Sequence, residues 1–225
     1  MKTLIAIPCM DTIPVGFMQS ILYLQKPEGT FVCFKPNSLV YDSRNMLALT
    51  AIEKDVDRIL WLDSDMVFTP DTLVKLSHDM DTIPDCEMVT GLYTKRIIPY
   101  TPVIYRELNE PDVGPDGQVV GHIHAYEDYP INSIFKVEAC GFGCVMTSVS
   151  LIRKVIDKFT SAFLPYLWAG EDLSFCYKVK QLGIPIYCDS SIKCGHIGSF
   201  VYDPNVLEEK RGDANGTSKA ADANG

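Results

Sequence analysis

The spacing of apolar and polar residues predicts an alternation of strands and helices over the first half of the chain. Four short apolar runs have the composition of strands that are buried on both faces, at 4–8, 30–34, 58–62 and 87–93. Helical stretches lie between them, at 15–25, 44–53 and 70–80. This order predicts an α/β fold, with a mostly parallel sheet covered by helices and ligands collecting at the carboxyl ends of the strands.

Local residues also predict how two of these helices begin and pack. Ser43 and Thr69 each precede a helical stretch, where a side-chain hydroxyl can cap the first turn, and Pro70 suits a first helical position. The helix after Ser43 is expected to bury an apolar face made of Met46, Leu47, Leu49 and Ile52.

The middle of the chain departs from this alternation. The turn sequence Gly114-Pro115-Asp116-Gly117 lies inside the segment 100–134 and predicts a small antiparallel insertion. Further strands are expected at 135–139, 144–147 and 186–188, and further helices up to about 158, capped by Ser148 or Ser150, and over 171–182. From Gly212 onward the residues are small and polar, so we expect one domain over 1–211 and a disordered tail over 212–225.

Composition narrows the classes of partner. The formal net charge of −9 argues against general binding to nucleic acid or to anionic membranes, although a local basic pocket for one small anion stays possible. No segment approaches the ~20 apolar residues that span a bilayer. None of the eight cysteines forms a C-x-x-C pair, which favours reduced thiols over a zinc site. We therefore expect a cytoplasmic protein without a membrane span.

Two acids follow the third predicted strand directly, in the sequence Leu62-Asp63-Ser64-Asp65. Carboxylates at the end of a buried strand are costly to desolvate unless they are paired or bound to a metal ion. Two of them, one residue apart, suit a hard divalent cation that keeps positions open for phosphate oxygens. An ordinary acidic turn is the alternative, since D-x-D occurs often by chance.

Two later segments carry further candidates. Glu171 and Asp172 begin a predicted helix, where acids also occur simply because they complement the helix dipole. His196 lies between Gly195 and Gly198, so the backbone could approach a ligand closely, although a lone histidine is more often a packed or surface residue. Together with the acid pair, His196 could complete a carboxylate and histidine site for a manganese-like ion.

The order of these motifs resembles that of the GT-A glycosyltransferases, especially the inverting family 2 type. The resemblance covers nearly all of 3–200, and its motifs are Asp63-Ser64-Asp65, Ala139-Cys140-Gly141-Phe142-Gly143, Gly170-Glu171-Asp172 and His196. It implies that Asp65 binds a metal ion, Mn²⁺ or Mg²⁺, with His196 as a further ligand. Asp63 would contact the ribose or reach the metal through water. Asp172 would be the catalytic base, and Glu171 would bind substrate hydroxyls.

The resemblance also implies a nucleotide diphosphate sugar as donor, with a UDP-sugar as the default, and an acceptor of unknown identity. The loop Pro8–Pro14, with Asp11, would border the nucleotide. Arg44 and the pair Lys95-Arg96 are candidates for phosphate contacts, with a surface salt bridge as the alternative for Arg44. A nucleotidyltransferase and a non-catalytic nucleotide-sugar-binding module are the alternative functions.

Overall fold

A computed structural model describes residues 1–166 and 169–198 of the chain. Within these residues the largest sheet has seven strands, in the spatial order β2 (Thr30–Pro36), β1 (Thr3–Cys9), β3 (Arg58–Leu62), β10 (Cys144–Ser148), β5 (Met88–Leu92), β11 (Ile186–Lys193) and β8 (Ile134–Val137). Strands β10 and β8 run antiparallel to their neighbours, and the other pairs are parallel. The predicted mostly parallel sheet is confirmed.

Helices cover both faces of this sheet. One face carries α1 (Val15–Tyr23) and α3 (Thr72–Thr82), and the other carries α2 (Val40–Glu53), α4 (Val149–Phe159) and α5 (Glu171–Gln181). Along β1, Leu4 and Ala6 belong to the core on the α2 side, whereas Ile5 and Ile7 belong to the core on the α1 side. A strand that buries both faces has no polar alternation, which explains its continuous apolar run.

Two smaller sheets are antiparallel. In the first, β6 (Ile104–Val113) pairs with β7 (Val119–Ala125) through the predicted turn and with β9 (Ala139–Cys140) on its other side. In the second, β4 (Met66–Val67) pairs with β12 (Gly195–His196). The first confirms the predicted antiparallel insertion, and the second joins two segments that are far apart in sequence.

The predicted start of α2 is wrong. The helix begins at Val40, after Leu39, so Ser43 is a buried residue of the first turns and not a cap. The predicted apolar face is wrong in part, because Met46 and Leu49 are exposed. The buried face instead combines Leu47 with small residues and Arg44, which lets the helix lie close to β1 and gives the arginine an ionic role.

Helix α3 also begins later than predicted. Asp71 occupies the N-cap position before Thr72, and Pro70 lies in the preceding turn. The Thr69 hydroxyl donates to the Asp71 carboxylate at 2.6 Å, so it takes part in the turn and does not cap the helix. By contrast, Ser148 is the N-cap of α4, as predicted, because its hydroxyl accepts from the Leu151 N–H at 2.9 Å.

The helices and the cysteines of the described residues relate to the predictions made from composition. None of the helices in 1–166 and 169–198 is long and apolar enough to cross a membrane. All eight cysteines are free thiols. The predicted polar tail at 212–225 lies outside the described residues, so the predicted domain boundary stays a prediction.

Candidate active site

A cavity of about 340 Å³ opens at the carboxyl ends of β1 and β3. This is the edge at which parallel α/β sheets bind ligands. The residues that line it come from six segments of the chain: Pro8, Cys9, Met10, Ser38, Val40, Ser43, Arg44, Asp63, Ser64, Asp65, Arg96, Glu171 and His196. Acidic, basic and imidazole groups therefore share one depression of the surface.

The acid pair sits in a tight turn at the end of β3. The Asp63 N–H donates to the Gly143 carbonyl at 3.1 Å, and the Met66 N–H donates back to the Asp63 carbonyl at 3.2 Å. The turn places the side chains of both Asp63 and Asp65 on the cavity wall. The packed surroundings raise the pKa of Asp63 through desolvation, which the positive charge of Arg44 opposes.

The pairing of β4 with β12 brings His196 beside Asp65. The Ile197 N–H donates to the Asp65 carbonyl at 2.8 Å, and the imidazole Nε2 lies 3.4 Å from Asp65 Oδ2. The imidazole Nδ1 lies 2.9 Å from the Thr94 carbonyl oxygen. Because a carbonyl can only accept, Nδ1 carries the hydrogen, and Nε2 is the nitrogen that faces the carboxylate.

The glycine-rich segment supports this arrangement through Tyr93. The Tyr93 ring packs edge-on against the imidazole of His196 at 5.5 Å, and its hydroxyl oxygen accepts from the Gly143 N–H at 3.1 Å. A methyl group at Gly141 would overlap that hydroxyl, and one at Gly143 would lie 2.8 Å from Tyr93 Cζ. The glycines are therefore needed for close packing below the cavity. Burial raises the pKa of Tyr93 well above its usual range.

Arg44 also lines the cavity and is 1% exposed. Its Nη2 donates to Asp63 Oδ1 at 2.7 Å, and its Nε donates to Glu171 Oε1 at 3.3 Å. The guanidinium lies over the Phe142 ring, 5.1 Å from the centroid. Burial alone would lower the pKa of Arg44, but the carboxylates around it raise the pKa overall, so the side chain stays charged.

Asp172 follows Glu171 in the first turn of α5. One of its oxygens accepts from the Leu173 N–H at 2.7 Å. Burial, and then the negative charge of Glu171, raise the pKa of Asp172 to about 6. The carboxylate is thus ionised at neutral pH and more basic than an ordinary aspartate.

Neither a protein-family model nor a curated protein matches the chain. Many solved structures are similar in fold, and two of them illustrate the similarity. A197 from STIV has 20% identity and a TM-score of 0.62, over 88% of this chain and 87% of that chain. GalNAc-T7 with UDP, GalNAc and Mn²⁺ has 12% identity and a TM-score of 0.56, over 88% of this chain and 44% of that chain. The chain has a GT-A-like fold. Membership of family 2 stays a prediction.

The GT-A-like fold brings most of the predicted site residues to one cavity. Six of them line it: Pro8, Arg44, Asp63, Asp65, Glu171 and His196. Asp172 lies next to this set in sequence but is not among the lining residues. Asp11 and Lys95 are exposed and also do not line the cavity.

Arg96, the neighbour of Lys95, is the basic residue that reaches the cavity. Its Nη1 donates to Asp65 Oδ2 at 2.8 Å and to the Ile197 carbonyl at 3.3 Å. The sequence predicts phosphate contacts for the pair Lys95-Arg96, but no local pattern distinguishes which of the two side chains faces the cavity. Tyr93 and Thr94, which hold His196 in place, were missed altogether, and the only sequence sign of them was the glycine-rich segment against which Tyr93 packs.

Two of the three predicted metal ligands, Asp65 and His196, lie side by side. Among the described residues, no three His, Cys, Asp or Glu side chains are arranged to hold a metal ion. The predicted set of Asp63, Asp65 and His196 is therefore not assembled as three ligands, and Asp63 is instead bonded to Arg44. Asp65 and His196 do lie together, and the hydrogen bond from Nδ1 to a carbonyl is the usual support of a metal-bound imidazole. A carboxylate and an imidazole fit Mn²⁺ or Mg²⁺ if water and phosphate oxygens supply the other ligands.

Proposed function

We propose that the protein is a metal-dependent glycosyltransferase that moves a sugar from a UDP-sugar to an acceptor hydroxyl with inversion. The observation that carries this is a single cavity whose lining includes both the Asp65–His196 pair and the Arg44–Glu171 ion pair. The GT-A-like fold supports the proposal, as does the presence of UDP, GalNAc and Mn²⁺ in the structure of GalNAc-T7.

The donor would bind on the wall that contains the acid pair. Asp65 and His196 would hold Mn²⁺ or Mg²⁺, and the bound ion would supply Lewis-acid stabilisation of the departing diphosphate. Arg96 is 51% exposed in its side chain and can turn from Asp65 toward a phosphate. Asp63 keeps 34% of its side chain exposed, so it can accept a hydrogen bond from the ribose while Arg44 fixes its other oxygen.

The acceptor would approach from the side of α5. Glu171 is committed to the ion pair with Arg44, whereas Asp172 has no ion pair among the described residues. In the transfer, the acceptor oxygen forms a bond to the anomeric carbon as the bond from that carbon to the diphosphate breaks. Asp172 takes the proton of the attacking hydroxyl, and UDP departs with the electron pair of the broken bond. A base facing the acceptor, opposite the leaving group, gives inversion.

The products released from nucleotide sugars test this proposal. The protein would be incubated with UDP-GalNAc, UDP-glucose, UDP-GlcNAc and GDP-mannose, each with Mn²⁺ and with a chelator, and with an Asp65→Asn variant as background. Release of UDP that requires Mn²⁺ is the expected result. Release of pyrophosphate would indicate nucleotidyl transfer, and donor binding without any product would indicate a binding module, so either result would contradict the proposal.

A further inference from the structure

Arg44 links two elements that the proposed reaction uses for different substrates. Asp63 follows β3 and is assigned to the donor in the proposed reaction, whereas Glu171 begins α5, which is assigned to the acceptor. One guanidinium holds the two carboxylates, at 2.7 Å and 3.3 Å. Glu171 is 127 residues away from Arg44 along the chain. The ion pairs therefore fix the relative position of two segments that the chain itself does not connect closely.

The guanidinium is held along its edge and across its face. The Nε and Nη2 donors contact the two carboxylates, and the face rests on Phe142 at 5.1 Å. Phe142 is itself packed against Trp61, Phe163 and Phe175. The remaining nitrogen, Nη1, is buried without a partner among the described residues, so it presents no accessible donor to a phosphate.

We infer that Arg44 is a positioning residue, which sets the separation of Asp63 and Glu171 before any substrate binds, and not the phosphate contact that the sequence suggested. This inference rests on the proposed function for its catalytic consequence. A planar fork with several donors can hold two carboxylates at once, whereas the single ammonium of a lysine cannot reproduce both contacts in the same geometry.

The first test measures the bridge without reference to catalysis. Arg44→Met leaves two carboxylates without their counter-charge, and we expect its Tm to fall by roughly 10 °C. Adding Asp63→Asn and Glu171→Gln removes the unpaired charges, so the triple variant should recover most of that loss. If the triple variant is no more stable than Arg44→Met, the two ion pairs are not what Arg44 contributes.

The second test separates positioning from substrate contact. Arg44→Lys is compared with Arg58→Lys, since Arg58 is also buried, at 8% exposure, and is bonded to Asp81 at 2.6 Å and to the Ser77 carbonyl at 3.0 Å. Arg58 lies at the start of β3, at the opposite end from the cavity. Its variant therefore controls for the general cost of losing a buried arginine.

We expect Arg44→Lys to lower kcat roughly 10²-fold, because small displacements of reacting groups have effects of this size, with less than about a threefold change in donor KM. Calorimetry should show unchanged affinity for UDP with Mn²⁺, and Arg58→Lys should keep the parental kcat. A higher KM with unchanged kcat would make Arg44 a substrate contact, and an unchanged kcat and KM would remove the positioning role. If the parent transfers no sugar, the proposed function fails, and the stability test still decides whether the bridge exists.

Discussion

Replacing Asp172 with asparagine should make the protein more stable above pH 7 and remove its turnover at the same time. Burial and the charge of Glu171 raise the pKa of Asp172 from its usual 3.8 to about 6. The folded protein therefore resists ionising this carboxyl more than the unfolded chain does, and the ionised form costs stability. Asparagine keeps an oxygen that can accept from the Leu173 N–H, but it carries no charge.

The size of the gain follows from that pKa. A rise from 3.8 to about 6 corresponds to about 3 kcal/mol of unfolding free energy when the carboxyl is ionised in both states. Below about pH 3 the group is largely protonated in both states, and the parent loses almost nothing. Between pH 4 and 6 only the folded state keeps the proton, so the stability of the parent falls as pH rises. The advantage of Asp172→Asn should therefore grow from about 0.5 kcal/mol at pH 4 to about 3 kcal/mol at pH 8.

Asp79→Asn is the matched control. Burial and the neighbouring Asp189 raise the pKa of Asp79 to about 6 as well, and the residue is 4% exposed on α3, which covers the opposite face of the sheet from α5. An amide can donate a hydrogen bond to Asp189, as the protonated carboxyl does. We expect this variant to gain stability with the same pH dependence and to keep the parental turnover.

Urea denaturation at pH 4, 6 and 8 gives the free energies of unfolding, and UDP release at saturating donor gives turnover. Turnover of Asp172→Asn should fall by ~10²–10⁴-fold. In the parent, kcat/KM should decline as pH falls through about 6, since the base must be ionised. A variant that is no more stable than the parent at pH 8 would show that Asp172 is not desolvated, and an active variant would remove it as the base.

Three further changes test other parts of the structure. Gly141→Ala should destabilise the protein by about 1–3 kcal/mol in urea, because its methyl group would overlap a buried tyrosine hydroxyl, whereas Gly195→Ala has room and should cost little. Arg96→Ala should tighten the binding of Mn²⁺ alone, measured by calorimetry, by roughly threefold to tenfold, because it frees the Asp65 carboxylate from an ion pair. Lys95→Ala should leave this affinity unchanged. Equal affinities in the Arg96→Ala variant and the parent would show that Arg96 and the metal ion do not compete for Asp65. His196→Ala should weaken UDP binding in the presence of Mn²⁺ at least tenfold while leaving the urea midpoint close to that of the parent, and parental affinity would remove it as a ligand.

The sequence allowed the sheet and the acid pair to be predicted because these depend on local pattern. A buried apolar run that ends in Asp63 predicts both a central strand and carboxylates at its edge. The turn at Gly117 likewise predicts the hairpin of β6 and β7, since this residue has a φ of 80°. Both are consequences of a few adjacent residues.

The sequence-based predictions that were wrong or incomplete depend on contacts between distant segments. Ser43 resembled a helix cap, but α2 begins at Val40, and Ser43 is a buried residue inside the helix that faces the rest of the fold. Arg44 resembled a surface or phosphate-binding residue, and its partner Glu171 lies 127 positions away, so no local pattern indicates that the two meet. Similarly, the choice of Arg96 over Lys95 depends on how the chain turns after β5.

The most direct test of metal-assisted donor binding is calorimetric titration of the protein with UDP, first with Mn²⁺ and then with excess chelator. We expect binding with Mn²⁺ to be at least tenfold tighter than binding with chelator, and Asp65→Asn to lose that difference, because the Asp65 carboxylate and the His196 imidazole, 3.4 Å apart, are the proposed ligands of the ion. Equal affinity for UDP with and without the ion, in a protein that remains folded, would contradict the metal-dependent mechanism.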